Sequence, residues 1–360
     1  MSDIIDIGFA EECESWRLAS RFFPSKIGGK PAWLDLKNIP DATQLACEYC
    51  GNPCMFLCQV YAPYEEDDKA FHRTLYVFIC KNADCCKENC NGNIKVLRSQ
   101  LKRVNEFYPP DPPIEEKNWR TDICTEKWSK TCSICGIFSS SHCAKCKQVN
   151  YCCRLHQVWD WKNSHKNLCG KEQSSENEKF LFPQFELVTE KEEYNPSNED
   201  SVTSEEELQK FEELVKTGQA GTLQSEKDID DDLLKMASGI EDKTFSKFRK
   251  RIKGEPEQVL RYNRGGSPLF ISSSHQPESI PKCEECGGDR QFEFQIMPQL
   301  LVYLKVDNIL ESIDWGILAV YTCKNSCTPK TKYVQEYVCK QDIIKENSMD
   351  SPNADQSNCL

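Results

Sequence analysis

The feature that most constrains this chain is the spacing of cysteine and histidine between residues 132 and 169. It reads Cys132-x2-Cys135-x7-Cys143-x2-Cys146-x5-Cys152-x3-His156-x8-His165-x3-Cys169. A Cys-x2-Cys pair suits a tight turn whose two sulfurs face one metal ion. The i, i+4 pairs Cys152/His156 and His165/Cys169 each share one face of a helical turn. Eight ligands fill two tetrahedral zinc sites and leave no position open for water, which makes the sites structural rather than catalytic. So short a segment builds little core of its own, and metal supplies its folding energy, on the order of 10–16 kcal/mol per ion.

The rest of the chain is consistent with that use of thiols. It has 360 residues and 23 cysteines. No apolar run approaches the roughly eighteen residues of a membrane span. The start, Met1 to Asp6, is acidic and lacks the basic-then-apolar pattern of a signal peptide. These features predict a protein of the cytoplasm and nucleus, where a reducing environment does not sustain a large disulfide framework. Metal is then the expected role of the cysteines.

The formal net charge is -12, and it is concentrated: residues 190–232 hold 15 acidic and 4 basic side chains. That stretch has few large apolar residues to offset its ordering entropy, so it is expected to be disordered. It is read as a solubilising linker or an electrostatic sleeve for a basic partner. Residues 127–171 carry eight Lys/Arg against one Asp. Six thiolates and two zinc ions would lower that excess, so it is not by itself a nucleic-acid signature. Direct nucleic-acid binding is not expected, because neutralisation of phosphates by Lys and Arg dominates such affinity.

The order of ligands in the central cluster resembles a MYND-type zinc finger. In that family the ligands interleave. The resemblance implies Cys132, Cys135, Cys152 and His156 on one zinc, and Cys143, Cys146, His165 and Cys169 on the other. His156 stands where the family usually has Cys. Cys153 and His142 adjoin ligands but are off register and are left unassigned. MYND fingers are mostly protein-interaction modules, not base-reading fingers.

Outside the finger the chain repeats itself. Cys47-Glu48-Tyr49-Cys50-Gly51 is matched by Cys283-Glu284-Glu285-Cys286-Gly287. In each set Phe (Phe56, Phe292) and Gln (Gln59, Gln295) follow at the same distance. Leu75 to Asn82 and Leu318 to Asn325 are both β-prone runs ending in Cys-Lys-Asn. The reading is one half-domain used twice. Cys47, Cys50, Cys80 and Cys85 (or Cys86) would hold one further zinc, and Cys283, Cys286, Cys323 and Cys327 another; small buried core cysteines are the alternative. Strands are expected over 54–61, 75–80, 92–97, 269–272, 291–296, 317–322 and 333–339, with a helix over 245–252. The motif Lys26-Ile27-Gly28-Gly29-Lys30-Pro31 falls short of a phosphate loop and is read as a turn.

The expected fold is therefore α+β: a pseudo-symmetric sheet-rich domain of two repeated halves. Its parts are an N-terminal half (1–126), the finger (127–171), an acidic disordered linker (172–240), a C-terminal half (241–342) and a flexible tail (343–360). No nucleophile elbow, phosphate loop, dinucleotide fingerprint or His-Glu-x-x-His motif is present, so an enzyme is not expected.

The stretches Phe23-Pro24-Ser25-Lys26-Ile27-Gly28-Gly29-Lys30-Pro31-Ala32-Trp33-Leu34, Gln59-Val60-Tyr61-Ala62-Pro63 and Ala70-Phe71-His72-Arg73 carry a closer resemblance. So do Glu255 to Tyr262, Gln295 to Leu301 and Ser312-Ile313-Asp314-Trp315-Gly316. The chain resembles the programmed cell death protein 2 family, in which a MYND finger sits between two conserved halves. The resemblance implies a dedicated chaperone for a basic small-subunit ribosomal protein of the universal S-five family, acting in production of the small ribosomal subunit. It also implies, as an alternative, a nuclear adaptor that recruits transcriptional co-repressor peptides through the finger in control of proliferation or cell death.

Overall fold

A computed structural model describes residues 5–171, 177–193, 243–306, 312–328 and 330–343. In chain order its strands begin with β1 (Asp6–Glu11), β2 (Lys26–Ile27), β3 (Met55–Tyr61), β4 (His72–Ile79) and β5 (Ile94–Leu101). A finger hairpin follows, β6 (Ser141–His142) and β7 (Asn150–Tyr151), and then β8 (Phe185–Lys191) and β9 (Leu260–Tyr262). The last three are β10 (Arg290–Ile296), β11 (Ile317–Cys323) and β12 (Tyr333–Gln341). Every residue of β4, β5 and β11 is buried. A strand buried on both faces needs cover on both, and an open sheet would also leave unpaired edges. Closure removes those edges. Among the described residues ten strands form one antiparallel barrel, in the order β1-β8-β2-β3-β4-β5-β12-β11-β10-β9, with β9 returning to β1.

The helices are short: α1 (Arg154–Asp160), α2 (Lys166–Leu168), α3 (Lys243–Ile252) and α4 (Leu300–Tyr303). Helix α3 extends the expected 245–252 by two residues and packs Phe248 against Ile271, Met297 and Ile317. No helix among the described residues is long and apolar enough to cross a membrane.

Two three-stranded meanders, β3-β4-β5 and β10-β11-β12, lie side by side in the barrel. Each carries a one-residue register shift just past the repeated phenylalanine, between Phe56 and Cys58 and between Phe292 and Phe294. The meanders join where β5 pairs with β12. On the far side β1 and β8 fill the gap between β9 and β2.

Strand β8 corrects the expected linker of 172–240. Phe185–Lys191 pairs with β1 and β2 and buries Leu187, so this stretch belongs to the barrel. Its acidic side chains face outward, and their charge masked the apolar alternation. Residues 172–176 and 194–240 of that expectation lie outside the described residues, as do 344–360 of the expected tail. The expected strand at 269–272 is also absent. Leu269 instead exchanges two hydrogen bonds with the Gln295 side chain, Leu269 N–H to Oε1 at 2.6 Å and Nε2–H to Leu269 O at 3.1 Å. Gln59 makes the same clasp on Ala32, at 2.9 and 3.2 Å.

Two fully buried ion pairs join the halves. Arg73 on β4 is bidentate to Glu293 on β10, at 2.6 and 2.8 Å. Arg98 on β5 donates to Glu336 on β12 at 2.6 Å. The finger is bound into the same core. Cys132, Ile134, Cys135 and Ile137 pack in the cluster that contains Trp33 and Leu34, and Trp33 Nε1 donates to Gly136 O at 2.8 Å.

Candidate metal centres

Each centre starts from one turn, made four times. In Cys47–Gly51, Cys132–Gly136 and Cys283–Gly287 the glycine N–H returns to the first cysteine carbonyl at 2.8–2.9 Å. In Cys143–Lys147 the lysine N–H does so at 2.9 Å. The residue after the second cysteine is left-handed in all four: Gly51 φ 71°, Gly136 φ 75°, Lys147 φ 59° and Gly287 φ 69°. Glycine adopts that conformation without a side-chain penalty, so Cys-x2-Cys-Gly specifies the turn locally. The turn aims both thiols to one side.

The second pair of each centre comes from elsewhere in the fold. Cys80 follows β4 and Cys85 sits on the next short turn, whereas Cys323 ends β11 and Cys327 lies in the loop beyond it. Cys152 follows β7, His156 lies on α1, and His165 and Cys169 flank α2. The outcome is four clusters. They are Cys47/Cys50/Cys80/Cys85, Cys132/Cys135/Cys152/His156, Cys143/Cys146/His165/Cys169 and Cys283/Cys286/Cys323/Cys327. Within each, the ligand atoms all lie within 4.8 Å of one another. Cys85, not Cys86, joins the first cluster.

Zn–S bonds of about 2.3 Å and Zn–N bonds of about 2.0–2.1 Å imply tetrahedral edges of about 3.8 Å for S···S and about 3.6 Å for S···N. Most observed edges agree, the exception being Cys152 Sγ to His156 Nδ1 at 3.0 Å. Cys50–Cys80 is 3.7 Å, Cys286–Cys323 3.7 Å, Cys283–Cys327 3.8 Å and Cys135–Cys152 3.6 Å. Cys132 Sγ lies 3.6 Å from His156 Nδ1, and Cys146 Sγ 3.5 Å from His165 Nε2. All donors are thiol or imidazole, four to a cluster, the donor set of a structural zinc.

Within a cluster the thiols are driven apart: burial raises Cys80, Cys85, Cys135 and Cys169, while neighbouring donors bring others down. Burial pushes the Cys50 thiol up, but the Asn52 backbone N–H and neighbouring thiols outweigh it and bring it down to about 7. Cys146 is held at about 6 against burial, by the Gln148 backbone N–H and Cys143. Cys54 and Cys58 are pushed well up by burial, and Cys339 to about 11. Those three remain neutral thiols and behave as small apolar side chains. Burial also raises Cys327, with Arg98 opposing.

The unassigned groups fall outside the clusters. His142 is exposed on β6, and Cys153 stands at the N-terminal boundary of α1 without a capping side-chain bond and with no place in a cluster. His72 is buried, its Nδ1 2.9 Å from the Tyr61 hydroxyl and its ring stacked on Phe23 at 4.3 Å. Sequence reasoning missed Gly28-Gly29-Lys30-Pro31-Ala32, which recurs as Gly265-Gly266-Ser267-Pro268-Leu269 and presents to Gln59 and Gln295 the backbone they clasp. Gly28 has φ +60°, and a Cβ there would sit 1.9 Å from Pro183 O.

Comparison with known proteins matches this layout. Residues 4–115 match the model of the programmed cell death protein 2 N-terminal domain, and 242–342 its C-terminal putative domain. Residues 132–169 match the MYND finger. Programmed cell death protein 2 of Mus musculus is 43% identical over 349 residues, covering 94% of this chain and 96% of its own. The chain belongs to the programmed cell death protein 2 family. A programmed cell death protein 2-like protein of Homo sapiens is 30% identical over 319 residues, 85% of this chain and 86% of its own. The probable 20S rRNA accumulation protein 4 of Schizosaccharomyces pombe is 24% identical over 362 residues, 84% and 87%. No solved structure gives a match. The MYND finger makes zinc the cofactor of this chain.

Proposed function

We propose that this chain is a non-enzymatic, zinc-built protein-binding factor in production of the small ribosomal subunit, a dedicated chaperone for a basic ribosomal protein of the universal S-five family. The observation that carries this reading is the fission yeast relative, aligned over most of the chain and named for 20S rRNA accumulation. The acidic balance fits a basic client, because net charge -12 opposes tails made for RNA. In this reading the sixteen clustered Cys and His side chains are zinc ligands, two ions in the finger and one in each half. The halves form a pseudo-symmetric frame. Residues 190–232 assist capture electrostatically, and the protein works in both cytoplasm and nucleus, where clients are made and assembled.

The test is co-purification of the ribosomal protein with the full chain and with a variant whose acidic residues in 194–232 are replaced by Gln and Asn, sparing Glu190 on β8 and Glu192, which is paired with Arg251 and Arg261. Capture by the full chain, reduced in the neutralised variant and steeply weakened by salt, supports the reading. Absence of any small-subunit protein overturns it.

A second reading rests on one surface. Leu155, Val158 and Trp161 form an exposed stripe on α1 and its continuation, 37–47% accessible. In the adaptor reading this stripe takes co-repressor peptides. Replacing Leu155 and Trp161 with Ser would then abolish peptide binding while leaving ribosomal-protein capture intact. Loss of capture in that variant would place the client on the finger.

A further inference from the structure

Strand register puts Arg98 and Lys340 at matching points of the two halves. On β4 and β5 Phe78 stands opposite Lys95, and on β11 and β12 Tyr321 stands opposite Tyr337. Phe78 and Tyr321 each lie two residues before the repeated Cys-Lys-Asn, at Cys80 and Cys323. Three positions past Lys95 and Tyr337 come Arg98 and Lys340, and two further on come Gln100 and Asp342.

All four side chains cross to the other half. Arg98 Nη1 donates to Cys327 O at 3.1 Å, and Nη2 lies 3.7 Å from Cys327 Sγ. Gln100 Nε2 donates to Ser326 O at 3.1 Å and Oε1 accepts from Ser326 Oγ at 3.0 Å. Reciprocally, Lys340 Nζ donates to Lys87 O at 2.9 Å and lies 3.6 Å from Cys86 Sγ. Asp342 Oδ2 accepts from Asn89 N–H at 2.5 Å, and Asp342 N–H donates to Asn89 Oδ1 at 2.9 Å. The gripped residues Ser326 and Asn89 are both left-handed, φ 40° and 52°. L side chains hold that conformation when surrounding structure enforces it. Each loop carrying a second cysteine pair is thus shaped by the last strand of the opposite half.

Charge points the same way. A zinc ion on four thiolates carries a net -2, which is costly to bury uncompensated. Arg98 is fully buried and touches the ligand sulfur. Glu336 takes Arg98 on one oxygen and Arg290 on the other, at 2.6 and 3.0 Å, and its second oxygen also accepts from Cys323 N–H at 3.1 Å. Two guanidinium groups on one carboxylate leave one positive charge facing the thiolates.

We propose that the half-domain metal centres are completed in trans. Arg98, from the N-terminal half, is the outer-sphere cation of the Cys283/Cys286/Cys323/Cys327 centre, while Lys340, paired with Asp342 at 2.8 Å and beside the non-ligand Cys86, braces the loop that follows Cys85 of the Cys47/Cys50/Cys80/Cys85 centre, so each half holds its ion only against the other. This rests on the zinc reading of those clusters. Arg98 and Lys340 are positioning residues: they act through ligand loops and not on the metal.

The test uses the full zinc-loaded chain, native mass spectrometry under chelator challenge, and mapping of alkylated cysteines. Arg98→Gln, which leaves Glu336 paired with Arg290 and removes the net positive charge, is expected to release one ion about 10–100-fold more readily than wild type, with Cys283 and Cys286 becoming alkylated first. Lys340→Met is expected to do the same at Cys47 and Cys50, independently of Arg98→Gln. In both, finger cysteines stay protected. Wild-type retention in both variants, or release at the half that supplies the substituted cation, overturns the proposal. A wild-type chain carrying two ions, with half-domain cysteines alkylated from the outset, overturns the underlying zinc reading instead.

Discussion

Replacing Glu293 with Gln tests the joint between the halves. Glu293 is fully inaccessible and accepts from both Arg73 terminal nitrogens, from Arg264 Nε at 3.0 Å, from the Tyr262 hydroxyl at 2.9 Å and from the Thr322 hydroxyl. Gln preserves shape but leaves Arg73 buried without a counter-charge. Breaking one side of a buried pair costs about 3–5 kcal/mol, a large fraction of the roughly 5–15 kcal/mol that holds a native protein together. Burial alone would raise the Glu293 carboxyl, yet Arg73 and Arg264 overcome it and hold it down to about 2. Its contribution is therefore complete above the ordinary carboxylate value of about 4.3 and is lost as pH falls toward about 2. Urea unfolding of the zinc-loaded chain at neutral pH measures the cost, and the companion variant Arg73→Met/Glu293→Gln should recover part of it by removing the stranded charge. A Glu293→Gln loss below about 1 kcal/mol, or a double variant worse than the single by the full cost of a second stranded charge, would refute the reasoning.

Gly28→Ala should destabilise by more than the roughly 1–2 kcal/mol of a left-handed L residue, because its Cβ also strikes Pro183 O; a thermal melt checks this. Burial lowers the His72 imidazole to about 4, with Arg103 adding to the effect. Folding keeps it neutral, so wild-type stability should decline as pH drops from about 6.5 toward about 4. His72→Asn should flatten that slope in urea titrations across the range. Cys50→Ser should cost the chain one zinc by native mass spectrometry, whereas Cys54→Ala should leave the ion count unchanged.

What the sequence made legible was local. A Cys-x2-Cys-Gly turn is specified within five residues, so the knuckles at Cys47, Cys132 and Cys283 could be read without a fold. Strands β3, β4, β10, β11 and β12 announced themselves as β-prone runs tied to repeated cysteines. Strand β8 did not, because its inward Leu187 is outnumbered by outward Glu and Lys, and residue counts report charge before alternation. The Gly28-Gly29 turn was legible only as half of a pair, once Gly265-Gly266 is set beside it. Closure of the barrel, the Arg73–Glu293 pair and the crossing of Arg98 to Cys327 depend on strand register between residues more than two hundred apart. No local pattern encodes that register.

Counting zinc on the intact purified chain is the most direct measurement. Four ions per molecule, with loss of near-UV circular dichroism as they are stripped, is the result expected of a frame pinned at four points. Two ions, or a core that survives complete stripping unchanged, would contradict it.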